Sequence, residues 1–291
     1  RLYILCLIGF KRDFNMFNEI LLPEFYIYFV GLLVTGVVAG LIAGLFGVGG
    51  GIVIVPILFW IFTSLKFPDE ILMHMAIGSS LATIIPTSIA SSRAHYRKGS
   101  IDIDVIKKWG FGIFLGALLG GFSGKFFTSN ELKYVFAIVA FIVALNMFIK
   151  NSLKFSNKFP KSKIINSFSS LIIGFVSSLM GVGAGTIGVP TLMSLSIPIH
   201  KAVGTAAALG LFISIPATIG LAFSGFDVPN RPPLSIGYIN LIAFLIMFPL
   251  TVFFAPIGVK IAHLINQRML KIIFGIFLII TSTKMLISIL I

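Results

Sequence analysis

The chain has 291 residues, 57% of them hydrophobic and only 11% charged, with a mean hydropathy of +1.08 and a formal net charge of +13. Soluble domains carry roughly a quarter charged residues, so this composition excludes a soluble globular protein and defines a multi-pass membrane protein. Nor does the positive charge make a nucleic-acid binder: the Lys and Arg residues fall in short stretches between apolar runs, where positive-inside orientation accounts for them.

Residues 1–24 form an N-terminal segment whose apolar run is too short to span a bilayer and which has no small-residue cleavage site, so it is not read as a signal peptide. The single cysteine, Cys6, lies there and leaves no internal disulfide or cysteine metal cluster to form. Apolar segments follow at Phe25–Phe46, Ile52–Phe62, Met73–Ala90, Trp109–Phe127 and Leu132–Ile149. A lysine-rich linker, 150–163, holds Lys150, Lys154, Lys158, Lys161 and Lys163. Five more segments complete the chain: Ile164–Met180, Thr186–Ile197, Ala202–Phe223, Ile236–Pro256 and Ile272–Ile291. The predicted fold is an all-α membrane protein of about eight to ten transmembrane segments, in two homologous repeats spanning 25–149 and 164–291.

The repeat is carried by matching stretches. "GLFGVGGGIVIVP", 44–56, returns as "SLMGVGAGTIGVP", 178–190, and Gly40–Leu58 aligned on Gly174–Leu192 gives nine identities in nineteen columns. "HMAIGSSLA" from His74 matches "HKAVGTAAA" from His200, and "LKYVFAI" from Leu132 matches "LKIIFGI" from Leu270. Charge at equivalent loops has opposite bias. Arg93, Arg97, Lys98, Lys107 and Lys108 lie between the third and fourth segments of the first half, against Arg231 and Asp227 in the second. Between the fourth and fifth segments, 128–131 has no base, whereas Lys260, His263, Arg268 and Lys271 cluster in the second half. Opposite bias predicts inverted repeats, with the linker and the 93–108 loop in the cytoplasm.

The second segment of each half is short. Ile52–Phe62 would cover about 16 Å as a helix, roughly half the hydrocarbon thickness. Both short segments read as half-helices entered through glycine loops, each with a proline in its second turn, Pro56 and Pro190. Broken helices survive at membrane depth only when buried in protein or lining a wet cavity. A glycine loop before a helix offers unpaired N–H groups, a positive dipole end and close backbone approach, which together make an anion site without a charged side chain. Gly47, Gly49, Gly50, Gly51, Gly181, Gly183 and Gly185 are therefore candidate substrate-binding residues, with Thr186 at the start of the second half-helix. Close helix packing is the competing reading, and it fits the four-residue stripes Gly36, Gly40, Gly44 and Gly116, Gly120, Gly124. Because Ala184 stands where the first copy has Gly50, alanine is expected to be tolerated at Gly50.

Ser79, Ser80 and Thr83, with Gly204 and Thr205 in the second copy, could add hydroxyls and close backbone approach to an oxyanion; bonding to a carbonyl one turn back is the alternative for the hydroxyls. His74 and His200 begin the third segments, where each is either an interfacial cap or a protonatable gate. All nine acidic residues lie outside the apolar segments. Cation transporters and proton relays usually keep a buried carboxylate, so the pattern favours an anionic or neutral substrate.

The duplicated Gly-x-x-Gly-x-Gly-Gly-Gly-x-x-x-x-Pro pattern runs from Gly44 through Gly47, Gly49, Gly50 and Gly51 to Pro56, and His74-Met-Ala-Ile-Gly78-Ser79 follows it. This pairing resembles the sulfite exporter TauE/SafE family of membrane permeases. The second copy departs at Ser178 and Ala184 but keeps Gly181, Gly183, Gly185, Pro190 and Gly204-Thr205. The resemblance implies movement of sulfite, sulfoacetate or related sulfur-containing or organic anions across the cytoplasmic membrane. The expected partners are thus a small anionic substrate and the bilayer; no cofactor, metal or nucleic acid is expected, and nothing specifies an oligomer. The expected activity is secondary transport by alternating access, in the export direction. An anion channel would use the same site without an alternating gate. A membrane enzyme needs a nucleophile with a base, or paired acids, at one depth, and the sequence supplies neither.

Overall fold

The computed structural model describes residues 23–148, 162–229 and 231–290; Cys6 and the linker lysines Lys150, Lys154, Lys158 and Lys161 lie outside them. The first half contains α1 (Pro23–Phe46), α2 (Gly51–Ser64), α3 (Leu72–Arg97), α4 (Ile103–Ser123, extended by a 3-10 turn over Gly124–Phe126) and α5 (Ser129–Phe148). In the second are α6 (Lys163–Met180), α7 (Gly185–Ser194), α8 (Ile199–Ser224), α9 (Leu241–Leu264) and α10 (Gln267–Leu290). A two-residue antiparallel ladder, β1 (Ser235–Ile236) with β2 (Ile239–Asn240), precedes α9, so the segment predicted from Ile236 begins as a hairpin and turns helical only at Leu241.

Local chemistry sets the helix starts. Asp102 caps α4 by accepting the Asp104 and Val105 N–H groups, and Asn240 caps α9 by accepting that of Ala243. Thr128 and Glu131 form a reciprocal capping box at α5: the Glu131 carboxylate accepts the Thr128 N–H at 2.7 Å, and Thr128 Oγ1 accepts the Glu131 N–H at 3.2 Å.

Seven described helices are long and apolar enough to cross a membrane: α1, α3, α4, α5, α8, α9 and α10. That is fewer than the eight to ten segments expected. The shortfall lies in α2, α6 and α7, with 14, 18 and 10 residues. At 1.5 Å per residue, α2 and α7 reach only about 21 and 15 Å, well short of the hydrocarbon thickness.

α3 and α8 pack against each other at the centre. α1 lies along α9 in the same direction, with Gly36 against Leu250, Gly40 against Thr251 and Gly44 against Val259. α4 lies along α6 in the same way, with Gly112 against Ser170, Gly116 against Leu171 and Gly120 against Ser178. These stripes let backbones meet closely, as small residues do in membrane interfaces. Gly124 departs from its stripe and faces Leu221 of α8.

The bundle has two ends. At one, His74 Nε2 lies 3.1 Å from the Gly124 carbonyl and 3.0 Å from that of Phe127, and the Asn240 N–H donates to Ser79 Oγ at 2.8 Å. This end gathers the starts of α3, α5 and α9 with the end of α4. At the other end, the Asp102 N–H donates to Thr205 Oγ1 at 2.8 Å, and Ser100 Oγ lies 3.3 Å from His263 Nε2. Here the starts of α4 and α8 meet the end of α9. We name them the His74 end and the His200 end. It follows that α4 runs opposite to α9, and α3 opposite to α8.

Candidate functional site

α1 ends at Phe46 and the chain turns through Gly47, Gly49 and Gly50, whose φ angles of 67°, 73° and 84° lie in the left-handed region. Gly50 is the N-cap of α2 and supplies no side chain to cap it. The second loop turns differently. Gly181 (φ 69°) closes α6, its N–H donating to Ser178 O at 3.1 Å while the Val182 N–H donates to Ser177 O at 3.0 Å. α7 then starts after Ala184, whose φ is −62°.

The two loops press against each other, backbone to backbone. The Gly183 N–H donates to Val48 O at 3.0 Å. A Cβ on Gly185 would lie 2.6 Å from the Gly47 carbonyl, and one on Gly51 would run into the Gly181 carbonyl. The central helices hold the crossing from both sides: Gly47 meets the Val203 carbonyl of α8, and Gly181 meets Ile77 of α3. Ser80 Oγ donates to Gly181 O at 2.7 Å, tying α3 to the second loop.

Every residue from Phe46 to Pro56 and from Ser177 to Thr186 is buried. Even so, the N–H groups of Gly49, Gly50, Gly51 and Ile52, and of Gly185 and Thr186, have no acceptor among the described residues. Thr186 Oγ1 is likewise buried without a partner. Buried backbone donors are nearly always paired, so unpaired donors at the starts of two facing helices stand out. Among the described residues no Asp or Glu is buried. The crossing is thus rich in donors and free of formal negative charge.

The remaining predicted residues sit around this crossing with defined tasks. Ser79 and Thr205 each accept a backbone N–H, from Asn240 and Asp102, and so bracket the starts of α9 and α4. Thr83 Oγ1 donates to Ser79 O at 2.8 Å, one turn back in its own helix. Gly204 abuts the Ser100 carbonyl and Gly78 that of Tyr238. His74 faces the end of α4 from a buried position. It is only 3% exposed, and its ring stacks on Tyr238 with centroids 4.8 Å apart. His200 stacks on His263 with centroids 5.1 Å apart, and His263 lies 5.9 Å from His95. His95 Nε2 in turn reaches the Gly44 carbonyl at 3.0 Å, bracing the end of α1 just before its glycine loop.

Gly50 requires a correction. Its φ of 84° and the approach of a Cβ to 2.7 Å from the Ala39 carbonyl forbid the easy alanine replacement that Ala184 suggested. Sequence reading also missed His95, His263, Tyr238 and Asn240. The sequence spacing held a usable signal for two of them: Tyr238 and Asn240 stand as far before Leu270 as Ser100 and Asp102 stand before Leu132, each pair 138 positions apart.

Helices broken at facing glycine loops inside a polytopic bundle define the class of membrane transport proteins. The sequence pattern of the sulfite exporter TauE/SafE family matches residues 32–285, and the chain belongs to that family. A Haemophilus influenzae protein named as a probable membrane transporter is 32% identical over 257 residues, covering 87% of this chain and 96% of its own. Proteins with the same description from Methanocaldococcus jannaschii (30% identical, 86% of this chain and 92% of its own) and Bacillus subtilis (30%, 68% and 79%) are also similar. No solved structure matches. The protein is a multi-pass membrane transporter, not an enzyme.

Proposed function

We propose that the protein is a secondary transporter that moves a small oxyanion, of the sulfite, sulfonate or related organic class, across the cytoplasmic membrane in the export direction. The substrate is held where the glycine loops cross, by the N–H groups that start α2 and α7, with the Thr186 hydroxyl beside them. The observation that carries this reading is the set of buried, unpaired donors on both loops together with the lack of a buried carboxylate among the described residues. Backbone donors at a helix start favour an anion and need no side-chain charge.

Alternating access follows from reading the two halves as inverted repeats. Several observations support that reading. Exchanging α1–α5 for α6–α10 maps the pair α1–α9 onto α6–α4, α4–α8 onto α9–α3 and α2–α3 onto α7–α8, and each of these pairs is in contact. Equivalent helices α4 and α9 run in opposite directions. Both half-helices end alike, with Lys66 (φ 55°) and Ser196 (φ 65°) left-handed and with Phe67 N–H donating to Phe62 O as Ile197 N–H does to Leu192 O. In such a molecule one half rocks against the other around a fixed central site.

Purified protein in proteoliposomes should take up labelled sulfite or a small sulfonate with saturation, and unlabelled substrate on the far side should drive counterflow. Saturable flux without counterflow would assign a channel instead. If monovalent cations are carried and no oxyanion is, the site reading fails. For orientation, single cysteines replacing Lys125 and Asp227 should both label from outside, and ones replacing Lys98 and Asn266 only from the cytoplasm. Labelling of Lys98 and Asp227 positions from one side would exclude inversion.

A further inference from the structure

Away from the glycine crossing, a cavity of about 720 Å³ opens at the His74 end between the end of α2, the loop before α3, the start of α5 and the end of α10. Its volume is in the range of small-molecule sites. The walls are chemically divided. Lys133 lines it from α5 and is 9% exposed, the sole buried Lys, Arg, Asp or Glu among the described residues. Its ammonium donates to Asn130 Oδ1 at 3.0 Å and sits 4.6 Å above the ring centre of Phe59. An ammonium carries three donors, so one hydrogen bond and one ring face leave it able to bind an oxyanion. On the loop side the same cavity is lined by Asp69 and Glu70, both exposed. Trp60 also lines it, with the Lys284 ammonium 5.3 Å from its ring centre.

We propose that this cavity binds a small zwitterion, a compound with an oxyanion at one end and an ammonium at the other. Lys133 takes the oxyanion, and Asp69 with Glu70 takes the ammonium. A simple anion would meet two carboxylates at the rim, and a simple cation would meet the buried lysine. A two-headed ligand satisfies both walls at once. Phosphoethanolamine chemistry fits, and it can come from a free solute or from a lipid headgroup reaching in at the membrane face. The site is separate from the glycine crossing and stands or falls independently of the transport reading.

The test uses the full chain in phosphatidylglycerol nanodiscs, titrated with O-phosphoethanolamine, ethyl phosphate and ethanolamine. O-phosphoethanolamine should bind saturably, and each one-headed analogue about tenfold or more weaker. Asp69→Asn with Glu70→Gln should weaken it about tenfold while the protein still folds, because both side chains are exposed. Lys133→Met should abolish it; if that variant does not fold, the double loop variant decides. Repeating the titration in phosphatidylethanolamine nanodiscs separates the sources: unchanged binding identifies a free solute, and lost binding identifies the lipid headgroup as occupant. Ethyl phosphate binding as tightly as O-phosphoethanolamine and indifferent to Asp69 and Glu70, or no binding of any of the three, overturns the proposal.

Discussion

The two glycine loops differ where their sequences most resemble each other. Gly-Val-Gly-Gly at 47–50 puts three residues at positive φ, whereas Gly-Val-Gly-Ala at 181–184 puts only Gly181 there, with Ala184 at −62°. Gly47 and Gly181 do the same job, turning the chain out of a long helix against the opposite central helix. Gly50 and Ala184 do not: one caps a 14-residue helix from a left-handed conformation, the other starts a 10-residue helix from a right-handed one. A near-symmetric sequence thus supports two different entries into the half-helices. Alignment register predicts position better than it predicts backbone conformation.

The most disruptive change to this comparison is valine at the shared turn. Gly47→Val and Gly181→Val each place a β-branched side chain at positive φ and into the backbone of α8 or α3, so neither should yield monodisperse protein. Gly99→Val is the control. It has φ 66° but nothing within 4 Å of its Cβ, so it should cost only the left-handed strain of about 1–2 kcal/mol. Equal loss at all three positions would mean that conformation alone, and not the close approach, fixes these glycines.

Next in size is the asymmetry itself. Gly50→Ala should cost the left-handed strain of about 1–2 kcal/mol of stability plus crowding against Ala39, read as a lower melting temperature, whereas Ala184→Gly should cost less than about 1 kcal/mol through unfolded-chain entropy. A mild Gly50→Ala would show that the first loop can relax into the second loop's conformation.

The paired brackets come next. Ser79→Ala and Thr205→Val remove the acceptor for the Asn240 and Asp102 N–H groups, and each should cost about 1–3 kcal/mol with little change in substrate affinity. A tenfold change in KM at unchanged melting temperature would return these hydroxyls to the substrate.

The smallest effect is expected at the histidines. Gln at His74 can still donate to the Gly124 and Phe127 carbonyls, so the double His74→Gln, His200→Gln variant should retain measurable flux in proteoliposomes. Complete loss of flux with normal folding and substrate binding would make them coupling residues.

Sequence alone determined the membrane class, the helix order, the shortness of α2 and α7 and the family, because each depends on composition, hydropathic run length or local spacing. Apolar run length limits how far a helix can reach, and glycine density marks where a helix breaks, without reference to distant residues. Tertiary structure alone decided what each glycine meets. The packing stripes at Gly40 and Gly116 and the loop at Gly49 have similar composition, yet the stripes face a parallel neighbour while the loops face each other. It also decided that Ser79 and Thr205 hold helix starts in the other half, that His95 and His263 join His200, and that Lys133 is buried while lining a cavity with Asp69 and Glu70. A side chain's partners come from elements far away in the chain, and local pattern holds no record of which carbonyl, ring or N–H the fold brings within reach.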